Sequence, residues 1–581
     1  MSKKKTMWLI VILVAICLVI GVSYALWQRT LSQTDTNRIT ADCFEITLTN
    51  EKDMISLENA FPLYDEEGME LTPYTFTIQN KCASYASYNI NLELLDTVAE
   101  DSRLDPQYLK VVLDENTPTI LSSNSSVEPT LSNAYASYEL TTGYLEQNEE
   151  KTYNLRLWLD ENVTLEDPVV GKSIIAKITV TANYIDHIPT DYDKCVSEYG
   201  EDSLQCNIIA NVDTTGACPN VNEDGLVEIN RGLDNQSYTE EEAYNVIVSL
   251  TERIGNYICS APDDYGTSYY YRGNVDNNYV KFAGFYWRII RLNGDGSIRM
   301  IYAGDADVID SLDNREEVLA NGYNDADTDL KHIGLSAYNL SSDDNAYVGY
   351  MYGTTGSSTY EETHANINNS AIKTYIDNWY ETHLKDTEYE NYIADSLFCN
   401  DRSRPFDNDI EWMGDIYTNL GYSKENTAYR MAGEPAFSII GRVPGYEDYL
   451  HIIELAKQDL LPTIKCANQN DRFTVNDTQL GNGELTYPIA LIAMDEVYLA
   501  GGYTVENYSF YLYTGEWYWT MTPNHFWDET AFVRNVDASG NTYYLSNFNA
   551  VNSLAVRPVI NLKPNSLKLG SGTVLDPYRV E

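Results

Sequence analysis

The chain has 581 residues, 43% of them hydrophobic, and sets 87 acidic against 38 basic side chains for a formal net charge of −49. That length exceeds one hydrophobic core and calls for two or three domains, while 48 tyrosines point to folded β-rich units rather than a disordered stalk. The charge repels phosphate backbones, which excludes nucleic acid as a partner, and it disfavours anionic membranes and acidic polymers.

Residues 1–29 come first. Lys3, Lys4 and Lys5 precede an uncharged apolar run from Met7 to Trp27, the pattern of a signal peptide or an N-in membrane anchor. Ser23 and Ala25 put small residues where cleavage near Ala25 needs them. The same run, at about 1.5 Å per residue, is also long enough to remain as a membrane anchor through residues 7–27. Either way, everything after Arg29 is expected to be extracellular. Cys17 lies in this run. The other eight cysteines (Cys43, Cys82, Cys195, Cys206, Cys218, Cys259, Cys399 and Cys466) lack Cys-x-x-Cys spacing. That speaks against a zinc ribbon and for structural disulfides, with sequential pairing as the expected one of many connectivities.

From 30 to 186 apolar and polar residues alternate. Tyr74, Phe76 and Ile78 form one such run, Tyr88, Ile90, Leu92 and Leu94 another, and Tyr153, Leu155, Leu157 and Leu159 a third. Period two buries one face, and turn residues between the runs describe an antiparallel β-sandwich. With the leader ending Gly21-Val22-Ser23-Tyr24-Ala25-Leu26-Trp27, the segments Ile46-Thr47-Leu48, Phe76-Thr77-Ile78-Gln79-Asn80 and Leu157-Trp158-Leu159 give a layout similar to the camelysin and biofilm-fibre group of exported Gram-positive proteins. The resemblance covers residues 7–186. It implies a jelly-roll-like sandwich in a surface or matrix setting, without catalytic residues.

Residues 187–258 read as a disulfide-containing linker. His187 to Asp193 and Asp213 to Gly216 are turn-rich and acidic, and Cys195 lies close to Cys206. Thr239-Glu240-Glu241-Glu242 then makes a capping box before Ile247, Leu250 and Ile254, with Gly255 as a stop, predicting a short helix.

The last domain, 259–581, is expected to be α+β. Tyr279–Phe282, Phe285–Arg291 and Ser297–Ile301 are strand-like around the turn Asn293-Gly294-Asp295-Gly296. A long polar loop region is expected over 303–368. Ile372, Tyr375, Ile376, Trp379 and Leu384 form a helical stripe, and Tyr449, Ile452, Ile453, Ala456 and Leu460 a second one ended by Pro462.

Near the end, Tyr518-Trp519-Thr520-Met521-Thr522-Pro523 and Val556-Arg557-Pro558-Val559-Ile560-Asn561-Leu562 bracket a polar hairpin. This resembles the C-terminal core of the formylglycine-generating-enzyme-like branch of the C-type-lectin fold, with Gly441-Arg442-Val443-Pro444 echoing its Arg-Leu-Pro segment. The resemblance implies that the two motifs are scaffold and that the polar strands between them form a binding face. Candidate ligand-binding residues are Asp528, Thr530, Asn535, Asp537, Asn541, Tyr543, Tyr544, Asn547 and Asn549. Aromatic rings with amides and carboxylates suit an adaptable binding surface, although Asn-rich turns have the same composition.

Signals for catalysis are poor. No cysteine follows Cys466, so formylglycine formation is not expected, and the six histidines show no His-Glu-x-x-His spacing. There is no Gly-x-Ser-x-Gly elbow and no phosphate-binding loop. Asp495-Glu496 could serve glycoside chemistry, but the start of a short helix after a buried strand at Ile489–Ala493 is the simpler reading. Asn324-Asp325-Ala326-Asp327-Thr328-Asp329 alternates oxygen ligands as calcium loops do, without the central Gly and final Glu of an EF-hand. Calcium is the one cofactor it raises, and a solvated acidic loop is favoured. The expectation is a non-catalytic ligand-binding or adhesion protein whose partner is a glycan or protein on a host, neighbouring cell or matrix. A matrix or fibre protein is the alternative, and an extracellular carboxylate-dependent glycoside hydrolase a distant one.

Overall fold

The computed structural model describes residues 28–32, 38–41, 44–48, 55–58, 61–114, 116–164, 167–185, 187–222, 227–228, 255–319, 328–404, 420–430, 462–502, 510–538 and 547–580. The apolar run 7–27, Cys43, most of the 239–255 helix, residues 324–327 of the calcium-like loop and the 446–460 helix lie outside them. No helix among the described residues is long and apolar enough to cross a membrane. The chain divides into two compact units, 1–190 and 191–581.

The first unit is built from the alternating segments. One sheet runs Gln28–Ser32, Ser173–Ile185, Tyr85–Leu95, Ala134–Leu145, with Ile55–Glu58 also paired to Ser173–Ile185. The other runs Arg38–Ala41, Phe44–Leu48, Tyr74–Asn80, Glu150–Asp160, Leu109–Leu113, Thr119–Ile120. Phe76, Ile78, Leu155 and Leu157 of one sheet share a single core with Ile90, Leu92, Leu94 and Val180 of the other. That is a β-sandwich. Glu93, on the opposite face of its strand from Leu92 and Leu94, is buried as well, and its carboxylate accepts from Thr130 N at 2.9 Å, Leu131 N at 2.8 Å and Thr179 Oγ1 at 2.9 Å. These bonds offset its desolvation and tether the 130–131 turn. Cys82 is disulfide-bonded, and Cys43, its expected partner, lies outside the described residues.

The second unit begins earlier than the linker reading supposes. Asp191–Tyr199 and Leu204–Ala210 are helices, stapled by Cys195–Cys206 with Cα atoms 5.5 Å apart. Ser203 caps the second helix by accepting from Cys206 N, and Leu204 and Ile208 join the core of this unit. Packing and the disulfide override a turn-rich composition. Two further disulfides, Cys218–Cys259 and Cys399–Cys466, match the sequential pairing.

Two sheets organise the rest. The first runs Asn256–Pro262, Thr267–Gly273, Phe285–Leu292, Ile298–Asp305, Val559–Leu562, Ile489–Ala490, with Tyr279–Phe282 paired to Phe285–Leu292. The second runs Leu335–Ala337, Ser553–Ala555, Tyr518–Trp527, Thr530–Val536, Asn547–Asn549, with Thr427–Ala428 on Tyr518–Trp527. The stripe at 372–384 is the helix Ala371–His383, capped by Ser370 Oγ accepting from Lys373 N at 3.2 Å. The expected polar loop at 303–368 instead carries short elements, among them the helix Ala306–Asp310 and the strand Leu335–Ala337. Both sequence motifs are interior. Trp519 is fully buried, its Nε1 donating to Ser336 O at 2.9 Å and its ring edge-on to Tyr338 at 5.6 Å. Arg557 is buried with Nε and Nη2 donating to Tyr302 O and Nη1 to Leu512 O. These fixed acceptors, with the Tyr518 ring 4.9 Å below, hold the buried charge.

Candidate binding site at the hairpin tip

Tyr518–Trp527 and Thr530–Val536 are joined by two residues, Asp528 and Glu529, with φ of 48° and 56°. Two successive left-handed residues are what a two-residue hairpin of the primed type requires, and the usual occupants are Asn and Gly. Asp tolerates that region; Glu does so at a cost. The turn is held from outside. Asn426 Oδ1 accepts from Asp528 N at 3.1 Å, and Lys424 lies 3.3 Å from the Glu529 carboxylate. The Lys424 pair is exposed and adds little; the Asn426 bond fixes the backbone.

Strand pairing decides which side chains share the outer face. Trp527 stands opposite Thr530, His525 opposite Phe532, and Phe532 opposite Asn549. Between them Phe526, Ala531 and Val533 point inward and are fully buried. The outer face therefore presents Trp527, which is 45% exposed, beside the stacked rings of His525 and Phe532, 4.5 Å apart. Burial, with Arg534 nearby, pushes the His525 imidazole down to about 3, so it is a neutral ring at physiological pH. Asn339 N donates to Ala550 O, and Ala531 N to Ser342 O. These backbone bonds bring the segments that carry the exposed residues Leu340 and Val551 beside the strand Thr530–Val536.

The sequence candidates divide. Asp528, Thr530 and Asn549 are at the tip. Asn535 and Asp537 are not on an exposed face: Asn535 pairs with Trp519 and is fully buried, and Asp537 is buried too. The physical reason is that the strand is covered on both faces beyond Phe532: Val533, Arg534, Asn535 and Val536 are all fully buried, so neither phase reaches solvent there. The Asn535 amide has no hydrogen-bond partner among the described residues. Asn547 lies on the strand opposite Arg534, while Asn541, Tyr543 and Tyr544 lie outside the described residues. Sequence reasoning missed Trp527, His525, Phe532, Asn426, Leu340 and Val551. Continuing the alternation from Phe526 through the turn could have found the three aromatics; the others come from distant segments.

A second polar cluster lies in a cleft lined by Arg291, Arg299, Arg430, Asp401, Asp495 and Glu496. Ile489–Ala490 is a buried strand and Met494–Leu499 a short helix, as the simpler reading expects. Glu496 meets Arg291 at 3.0 Å and Arg299 at 2.6 Å, and accepts from Ala493 N. Asp495 Oδ1 accepts from both Arg430 Nη2 at 2.8 Å and Thr463 N at 2.9 Å, and Arg430 also meets Asp401 at 3.1 Å. Each carboxylate is engaged by arginine, the arrangement of a structural ion-pair network. Among the described residues no group of three or more His, Cys, Asp or Glu side chains is placed to hold a metal ion.

Fold and site together define a β-rich, disulfide-stapled protein of two units, the second bearing a fixed aromatic hairpin tip. In comparisons with known proteins, the chain matches no family model and no curated protein.

Proposed function

We propose that this is an exported, non-catalytic ligand-binding protein of the cell surface, in which the sandwich is a spacer and the hairpin tip of the second unit takes the ligand. The observation that carries the reading is the tip itself. A turn in two left-handed non-glycine residues is pinned by Asn426 while the tryptophan beside it stays half exposed. Local strain retained together with a solvent-facing aromatic favours recognition over packing. The lysine-flanked apolar run and the disulfides support an extracellular setting, and the C-type-lectin-like resemblance of 518–562 supports the same face. A glycan and protein array probed with the intact protein tests it. Capture should be lost in Trp527→Ala while the parent binds; capture that survives this change places the site elsewhere.

A matrix role is the second reading, favoured by one feature of the sandwich. Ala134–Leu145 is a sheet edge, paired along its length with Tyr85–Leu95 and met on its other side, among the described residues, by the short stretch 124–127. Open strand edges are templates for pairing. Ordered fibres of the purified protein in electron micrographs would favour this role.

A further inference from the structure

We infer that the partner of the hairpin tip is a basic polypeptide segment carrying apolar side chains. The inference rests on the ligand-binding reading and adds the chemistry of the ligand. Three exposed apolar residues lie on segments that meet at the tip: Leu340 is 87% exposed, Trp527 45% and Val551 42%. They come from three separate segments, gathered by the bonds of Asn339 N to Ala550 O, Ala531 N to Ser342 O and Ala550 N to Ala531 O. Exposed aliphatic groups assembled in this way mark an interaction surface when polar groups rim them. Here the rim is acidic. Asp528 and Glu529 form the turn itself, Glu529 lies 3.3 Å from the Lys424 ammonium, and the same ammonium acts on Asp343. The excess negative charge sits within a chain whose net charge is −49, so the long-range field has the same sign as the local one.

That combination selects among ligands. An acidic polymer is repelled. A neutral glycan would use the Trp527 ring, yet it would leave the aliphatic side chains of Leu340 and Val551 without an apolar counterpart and the carboxylates uncompensated. A segment with lysine or arginine next to leucine, isoleucine or an aromatic residue meets all of these groups. Its cations pair with the rim and approach the Trp527 face, and its apolar residues cover Leu340 and Val551. Rim charges then govern encounter rate and choice of partner, and the apolar anchors govern dissociation.

The test uses the intact protein to select from a displayed random dodecapeptide library at about 0.15 M and again at higher salt, with a neutral-glycan array in parallel. Parent, Trp527→Ala, Leu340→Ser and the double change Asp528→Asn with Glu529→Gln are compared, each checked for an unchanged melting temperature. Enriched peptides should combine basic and apolar residues. Their capture should fall by about tenfold on losing either apolar anchor. The charge-neutral double variant should lose capture more at low salt than at high salt. Enrichment of neutral or acidic peptides overturns the inference, as does basic-peptide capture indifferent to all the variants. Neutral-glycan binding that disappears in Trp527→Ala, with no peptide selected, overturns this inference and leaves the binding site standing. If neither ligand class depends on the tip, both readings fall.

Discussion

Asp495 and Glu496 are adjacent in the chain and both buried, yet their carboxyl groups are driven in opposite directions. For Asp495, burial outweighs the pull of Arg430, which it shares with Asp401, and the group is pushed up to about 6. Glu496 is equally buried, but Arg299 and Arg291 both point at it, and it is held below the usual carboxylate range. Two cations on one carboxylate overcome desolvation; one cation divided between two does not.

The pair predicts a pH dependence with two signs. Asp495 binds its proton more tightly folded than unfolded. Its stabilising contribution is complete below about pH 4 and is lost as pH rises through about 6. Glu496 does the reverse, stabilising above the ordinary glutamate range and losing that contribution as pH falls. In urea titrations of the second unit between about pH 4 and 7, Asp495→Asn should remove a decline on the order of 2–3 kcal/mol as pH rises. An unchanged pH slope in that variant would show that Asp495 titrates normally.

Glu496→Ala should be far more damaging than Asp495→Asn. It leaves Arg291 with the Asp263 carboxylate and Ser268 Oγ and removes from Arg299 the carboxylate it pairs with, and both guanidiniums are buried. Stranding buried charge costs about 3–5 kcal/mol. Denaturant unfolding of the variant at neutral pH measures this directly, and a loss below about 1 kcal/mol would mean that water reaches the cluster.

The strands were legible because period two is a local signal. Phe76 and Ile78, and Ile90 to Leu94, announce their own burial, and the 372–384 stripe does so for a helix. The helices at Asp191–Tyr199 and Leu204–Ala210 were not, since Cys195–Cys206 and the core contacts of Leu204 and Ile208 supply what local propensity lacks. At the site, Asn535 reads as a surface residue by type, whereas its strand is covered on both faces from Val533 to Val536 by segments far away in the chain. The network of Arg291, Arg299, Arg430, Asp401 and Glu496 joins positions far apart in the chain, and no spacing rule reaches that far.

Cysteine mapping gives a third prediction. Non-reducing peptide analysis should recover Cys195–Cys206, Cys218–Cys259 and Cys399–Cys466, with Cys82 blocked. Removing Cys399–Cys466, which spans 67 residues, should cost more than removing Cys195–Cys206, which spans 11. In the chain-entropy account the figures are about 4 and about 3 kcal/mol. Free thiols at these six positions in protein from its native compartment would refute both the pairing and the extracellular setting.

The last prediction contrasts two tryptophans of one strand. Trp519 and Trp527 both belong to Tyr518–Trp527, and the rings meet opposite environments. Trp519 is sealed between Tyr338 and the interior, and its Nε1 satisfies Ser336 O. Trp519→Ala therefore removes a large apolar contact, opens a cavity and leaves a carbonyl without its donor. The expected cost is about 3–5 kcal/mol, enough to unfold much of the second unit. Trp527 lies at the turn with 45% of its surface exposed, and a surface truncation away from caps and cavities stays within about 0.5 kcal/mol. Thermal melts of the two variants should differ by many degrees, with Trp527→Ala close to the parent. Should Trp527→Ala melt as low as Trp519→Ala, the ring is a structural lid on the His525–Phe532 stack, and the tip owes its tryptophan to packing rather than to a ligand.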